Sequence, residues 1–152
     1  MHDPVTFRAP LGVFVLQQTD LPKIFLATGT GIAPLKSMVL DLAARDFKED
    51  YHLLWGIRTH SDAYFKNDFE QLDTLHPSFH YHMCFSQEDP RDTTELKGHV
   101  QDGLKTLFPN INFVRNYEFY ICGRSQTVDG IKESLLNDFQ IPASRTFHEK
   151  FT

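Results

Sequence analysis

Residues 23–42 constrain this chain more than any other stretch. Lys23-Ile24-Phe25-Leu26-Ala27-Thr28 is a short apolar run, and Gly29-Thr30-Gly31 interrupts it. Beyond the glycines, Ile32, Leu35, Met38, Val39, Leu42 and Ala43 recur at helical spacing. An apolar extended run that ends in glycines and opens into an amphipathic helix reads as a strand–turn–helix unit.

The pattern repeats along the chain. Tyr51–Ile57 is a second apolar run, and residues 63–75 carry Phe65, Phe69 and Leu72 at helical spacing. Phe79–Phe85 reads as a third strand, with a third helix marked by Val100, Leu104 and Leu107. Phe119-Tyr120-Ile121-Cys122 is a fourth strand, and Val128, Ile131, Leu135, Leu136 and Phe139 mark a fourth helix. Thr146–Phe151 closes the series as a fifth strand. Alternating strands and helices predict an α/β fold, a doubly wound five-stranded parallel sheet flanked by helices. Ligands of such sheets bind beyond the carboxyl ends of the strands, near the point where strand order reverses. The informative residues are therefore those that follow the first, second and fourth strands.

The first 20 residues stand outside this alternation. Leu11-Gly12-Val13-Phe14-Val15-Leu16 reads as a strand, followed by a polar linker over residues 17–22. It has no partner in the five-strand scheme and is expected to be the tail of another unit. The division expected is 1–20 for that tail with its linker and 21–152 for the α/β domain.

Bulk properties exclude rather than identify. A length of 152 residues suits one full hydrophobic core. A formal net charge of −5 argues against a broad nucleic-acid or acidic-membrane surface. No apolar run approaches the roughly 20 residues of a membrane helix. Met1-His2-Asp3-Pro4 lacks the basic and apolar regions of a signal peptide. The two cysteines form no CxxC or zinc pattern, so reduced thiols and a cytoplasmic location are the default expectation. His80 and His82 share one face of a strand, but the sequence offers them no acidic or thiol partner, and no metal site is expected. A GxSxG nucleophile elbow is lacking.

Chemistry concentrates in Thr28-Gly29-Thr30-Gly31-Ile32-Ala33-Pro34. Gly29 and Gly31 let the backbone turn tightly and approach a ligand. The helix behind them offers free N–H groups and the positive end of its dipole. Thr28 and Thr30 add hydroxyls, and Pro34 sits in the first turn, where a missing N–H costs little. The spacing is GxGxxP, neither the GxGxxG of the Rossmann fingerprint nor a P-loop, which would add a lysine. A plain glycine turn is the alternative reading of these residues alone.

In context, residues 28–34 resemble the pyrophosphate loop of the ferredoxin–NADP reductase superfamily. Ala9-Pro10-Leu11-Gly12-Val13-Phe14 resembles the G-P-x-G-x-F segment that closes that family's flavin barrel, with Ala9 in place of the usual Gly. Tyr120-Ile121-Cys122-Gly123 resembles its Y-x-C-G-P motif, and His148-Glu149-Lys150-Phe151 its acidic-then-aromatic end. The motifs occur in the family's order and span essentially the whole chain.

The resemblance implies a domain that binds NADH or NADPH and positions nicotinamide for hydride transfer to a flavin. It places Cys122 and Glu149 near the nicotinamide as catalytic-site residues. Gly123 would allow close approach of the ring, and Phe151 would pack by the flavin. Thr28, Gly29, Thr30, Gly31 and Pro34 would hold the pyrophosphate, and Arg58 the adenosine ribose or a 2′-phosphate. Arg124 stands where most members have Pro, and Thr127 where Met is common; the Gly-Arg version resembles the bacterial flavin-reductase branch. These departures favour the alternative of a non-catalytic nucleotide-binding or interaction module of the same fold. Ser86 is followed by Gln87 and Glu88 rather than by Arg, which leans the cofactor towards NADH. The family's R-x-Y-S/T flavin motif is absent. The expectation is a piece of a longer flavoprotein, whose flavin domain, with FAD or FMN, lies outside this chain. The piece alone is expected to be inactive. Two cysteines cannot hold a four-cysteine iron–sulfur cluster, so a ferredoxin-like or other electron-transfer partner would be separate.

Overall fold

A computed structural model describes residues 12–151. The elements in order are β1 (Lys23–Thr28), α1 (Ile32–Ala44), β2 (Tyr51–Ile57), α2 (Lys66–Leu75), β3 (Phe79–Phe85), β4 (Glu95–Lys97), α3 (Val100–Leu107), β5 (Glu118–Arg124), α4 (Ser125–Asn137) and β6 (Thr146–Phe151). All strand pairs are parallel, in the order β4-β3-β2-β1-β5-β6. The order reverses between β1 and β5, so the switch point lies over the end of β1.

Side chains alternate across the sheet and bury both faces. Phe25 and Ala27 of β1 join Leu53, Trp55 and Ile57 of β2 on one face, covered by Leu35, Val39 and Leu42 of α1 and Phe69 of α2. Ile24 and Leu26 join Leu54 and Cys84 on the other, covered by Val100 and Leu104 of α3 and Val128 and Ile131 of α4. Burial on both faces is why the strands read as continuous apolar runs rather than as alternating ones.

Three expectations need correction. The sheet has six strands, not five, because Glu95-Leu96-Lys97 pairs with Met83-Cys84-Phe85 at one edge. With three residues, two of them charged, this strand has no periodic signature. Gly12-Val13-Phe14-Val15-Leu16 forms no strand. Phe14 and Leu16 instead lie on the core, and the Gln17 N–H donates to the Tyr120 hydroxyl at 3.0 Å. The remainder of the barrel-closing motif, Ala9-Pro10-Leu11, lies outside the described residues, as does Thr152. Finally, α2 starts at Lys66 rather than near 63, because Thr59 and Asp62 cap a separate turn over His60–Asp62.

Two polar clusters sit inside this frame. At the amino end of the sheet, Lys23 is fully buried. Its Nζ donates to Glu118 at 3.1 Å, to both oxygens of Thr19 and to the Leu21 carbonyl at 2.8 Å. The Tyr120 hydroxyl donates to Glu118 at 2.9 Å. A buried pair of this kind is tolerable because nearly every polar atom in it has a partner. Across β2 and β3, the rings of His52 and His80 stand 4.8 Å apart, with Phe108 edge-on to His52 at 5.0 Å. Among the described residues, the buried Nδ1 atoms of His52 and His82 have no partner. Burial, then the neighbouring imidazoles, push His52 down to about 3 and His82 down to about 4. Among the described residues no group of three His, Cys, Asp or Glu is arranged to hold a metal ion.

Candidate functional site: a cavity over the switch point

Gly29 has φ of +53°, with nothing within 4 Å of the place a Cβ would occupy. The conformation disfavours any other residue, and the space beside it is open to a ligand. Gly31 and Gly123 answer a different demand. A Cβ on Gly31 would lie 2.1 Å from the Cys122 carbonyl oxygen, and one on Gly123 would lie 2.1 Å from Thr28 Oγ1. The β1–α1 turn and the end of β5 therefore interlock, each occupying the volume the other's side chain would need. From the neighbouring strand, Trp55 Nε1 donates to the Gly29 carbonyl at 3.0 Å and fixes the loop from beneath. Among the described residues no side chain caps α1; the Ile32 N–H turns back to the Gly29 carbonyl and so carries the tight turn straight into the helix. Pro34 occupies the third position of α1, where it withholds no helical hydrogen bond.

A cavity of about 660 Å³ opens above this turn. Thr28, Gly29 and Thr30 form its floor, Arg58, Asp62 and Tyr64 one wall, and Arg124, Thr127 and Phe151 another. Ser86 and the start of α3, His99 to Gln101, complete it. A helix start, two guanidinium groups and several hydroxyls around one elongated space suit an anionic, multi-ring ligand.

Six of the residues expected to contact the cofactor line this cavity, Thr28, Gly29, Thr30, Arg58, Arg124 and Phe151, and so do Ser86 and Thr127, noted for their departures or neighbours. Gly31 and Gly123 shape it from behind. Cys122 is fully buried near the end of β5, in register with Glu149 on β6. Burial, then the Glu149 charge, push its thiol up to about 11, which leaves it neutral and unsuited to attack as a thiolate. Phe151 is partly exposed, and its carbonyl accepts a hydrogen bond from Ser125 Oγ at 3.2 Å.

Sequence reasoning missed Tyr64, His99 and Gln101. Tyr64 packs edge-on against Trp55 at 5.0 Å, and the buried amide oxygen of Gln101 has no partner among the described residues. His99 and Gln101 belong to the start of α3, and the rule that ligands gather at the carboxyl ends of strands could have been extended to that helix entrance.

Residues 25–133 match the family described as oxidoreductase NAD-binding domain. The chain belongs to that family. The ferredoxin–NADP reductase-like character expected from the motifs stands with it. The chain is 30% identical over 124 residues to a component of the Na(+)-translocating NADH-quinone reductase of Haemophilus influenzae, covering 80% of this chain and 30% of that one. It is 29% identical over 154 residues to a flavohemoprotein of Deinococcus radiodurans, covering 98% of this chain and 37% of the relative. The chain thus spans about a third of the length of these curated relatives. Among solved structures, the Amycolatopsis cytochrome P450 reductase GcoB superimposes with a TM-score of 0.83 at 26% identity, over 95% of this chain and 43% of that one. A ferredoxin-NADP+ reductase from Plasmodium falciparum shares the fold, with a TM-score of 0.75 at 24% identity, over 93% of this chain and 57% of that one. Among the described residues no helix is long and apolar enough to cross a membrane.

Proposed function

We propose that the chain binds NADH and presents its nicotinamide to a flavin, as one part of an NAD(P)H-dependent flavoprotein oxidoreductase. The observation that carries this reading is the cavity that joins Arg58, the open Gly29 turn, Arg124 and Phe151 over the switch point. The residues fit the cofactor. Gly29 leaves ligand-side space, the uncapped start of α1 suits a pyrophosphate, and Gln101 keeps a buried acceptor free.

Reduced nicotinamide supplies the hydride when bound, and FAD or FMN would accept it. The work of this chain is positioning. Thr28, Thr30 and the backbone of the glycine turn at the positive end of α1 hold the diphosphate. Arg58 and Arg124 supply positive charge on opposite walls, Arg58 for the adenosine half and Arg124 nearer the nicotinamide. Cys122, neutral and buried, packs behind the cavity beside Gly123, and Glu149 stands next to it on β6. Phe151 packs at the mouth, where the flavin would enter. NADH is favoured over NADPH because Asp62 shares the wall with Arg58 and Glu88 follows close on Ser86, so a 2′-phosphate would meet carboxylates. A flavin domain, a ferredoxin-like or other electron-transfer partner and a cytoplasmic setting complete the reading.

Calorimetric titration of the chain with NADH and with NADPH tests it. Saturable binding with NADH tighter than NADPH supports the reading; the reverse order refutes the NADH assignment, and no binding of either up to millimolar concentration refutes the whole. Joining the chain to a flavin-binding barrel and measuring flavin reduction tests the hydride step.

A further inference from the structure

Beside the nucleotide cavity lies a charged cluster of which the proposed function uses only Glu88. Its centre is His60, in the turn that follows Arg58 and Thr59. The His60 Nε2 lies 2.8 Å from Glu95 Oε2, and its Nδ1 meets Glu88 Oε2. The backbone N–H of His60 donates to the same Glu88 oxygen at 2.7 Å. The imidazole stacks on Phe85 with ring centres 3.9 Å apart, and its side chain is only 12% exposed.

Carboxylates are acceptors only, so an imidazole that bridges two of them must donate from both nitrogens. That requires the doubly protonated ring. The Glu95 side chain is fully buried and takes two further donors, Lys66 Nζ at 2.9 Å and the Arg91 N–H at 2.7 Å. Lys66 also pairs with Asp92 at 2.8 Å, and the Arg91 guanidinium lies 3.9 Å from Glu88. Glu95 is thereby held ionised, its Lys66 and His60 hydrogen bonds outweighing burial. The hydrogen bond to Glu95 and then that to Glu88 raise His60 above the ordinary imidazole range, against burial and the Arg91 charge.

The cluster joins separate pieces of chain. His60 belongs to the β2–α2 loop, which lines the cavity with Arg58, Asp62 and Tyr64. Glu88 belongs to the β3–β4 loop, which lines it with Ser86, and Glu95 opens β4. Between the two loops run two backbone hydrogen bonds, Ser86 N–H to the Ile57 carbonyl and Gln87 N–H to the Arg58 carbonyl, both 3.1 Å. Beyond Arg58 the contact between the loops passes to His60.

We propose that His60 is a positioning residue for the nucleotide cavity: as an imidazolium it clasps Glu88 and Glu95, and so holds the wall bearing Arg58, Asp62 and Tyr64 against the wall bearing Ser86. This rests on the nucleotide-binding reading above and adds a protonation requirement to it. Loss of the proton removes one of the two side-chain hydrogen bonds and sets a neutral ring between two carboxylates. The Arg58 wall is then released. Dinucleotide affinity falls as pH rises through the His60 titration, and reciprocity requires that bound dinucleotide raise the His60 pKa.

The test is to titrate the chain with NADH from neutral to alkaline pH while following the His60 ring protons by NMR with and without NADH. The wild type is expected to weaken by about tenfold across the range, a modest coupling, with the His60 pKa higher in the complex. His60→Gln, which keeps bulk but not charge, is expected to bind weakly with no pH dependence. Glu88→Gln is expected to move the midpoint of the affinity profile to lower pH, which a general loss of packing would not do. An unchanged His60 pKa on adding NADH, or wild-type affinity in His60→Gln, overturns the clasp and leaves the nucleotide reading intact. No NADH binding by the wild type at any pH overturns both.

Discussion

The largely buried histidines His52 and His82 predict a specific loss of stability in mild acid. Both are held far below the usual imidazole pKa of about 6.5, His52 at about 3 and His82 at about 4, chiefly by burial. In the unfolded chain they return to the ordinary value. A depressed folded-state pKa means that the unfolded chain binds the extra protons. Their contribution is therefore complete above pH ~6.5 and falls as pH drops towards 4, continuing to about 3 for His52. At pH 5.5, one unit below the unfolded value, each costs about 1.4 kcal/mol, or about 3 kcal/mol for the pair. That is a large share of the stability of a domain this size. His60 has the opposite sign, since its pKa is raised, and its stabilisation persists in acid and is lost as pH rises. A difference between variants isolates the histidine pair. Urea unfolding, read by the fluorescence of the buried single Trp55 at pH 7.5 and 5.5, is the assay. In His52→Phe/His82→Leu the fall in stability between the two pH values should shrink by about 3 kcal/mol. Stability at neutral pH should hold or improve, because two unpartnered Nδ1 atoms are removed. An identical pH dependence in the double variant and the wild type would refute the reasoning.

Other predictions follow from single contacts. Gly31→Ala places a methyl 2.1 Å from the Cys122 carbonyl and should lower stability by about 2 kcal/mol or more, seen as a drop in melting temperature; an unchanged melting temperature would mean the interlock is absent. Arg58→Ala should weaken NADH binding by about tenfold in calorimetry, the usual size of one charged hydrogen bond, and NADPH at least as much. Cys122, raised to about 11, and Cys84, raised to about 12, should both resist iodoacetamide at pH 8 in the folded chain and react in urea, with labelled sites counted by mass spectrometry. Trp55→Phe removes the hydrogen bond to the Gly29 carbonyl and should weaken NADH binding while leaving the fold intact by circular dichroism.

Strand limits were legible where burial on both faces forces a nearly continuous apolar run, as in Lys23–Thr28 and Tyr51–Ile57, and where apolar residues alternate with the half-buried His80 and His82 before a fully buried end, as in Phe79–Phe85. The edge strand Glu95–Lys97 was not, because its buried residue is a carboxylate satisfied by His60 and Lys66 rather than an apolar side chain. The glycine turn announced itself because Gly29 must adopt positive φ and Gly31 must leave room for a carbonyl. Tyr64 reaches the cavity from the β2–α2 loop and His99 and Gln101 from the entrance of α3, and no local pattern marks them. The His60 clasp joins residues 28 and 35 positions apart, a distance at which sequence spacing carries no signal.

The interlock of Gly31 with Cys122 also bears on the order in which the molecule assembles. β1 lies in the middle of the sheet, yet its partner on one side, β5, begins 95 residues later, where Lys23 meets Glu118. During synthesis β1, β2 and β3 can pair while β5 is still unmade, and such distant closure is the slow kind. Until β5 docks, the glycine turn lacks the carbonyl and the Thr28 contact that shape it. A nascent chain therefore acquires its nucleotide cradle only at the end of folding, and nucleotide added to a refolding mixture should bind in the last kinetic phase.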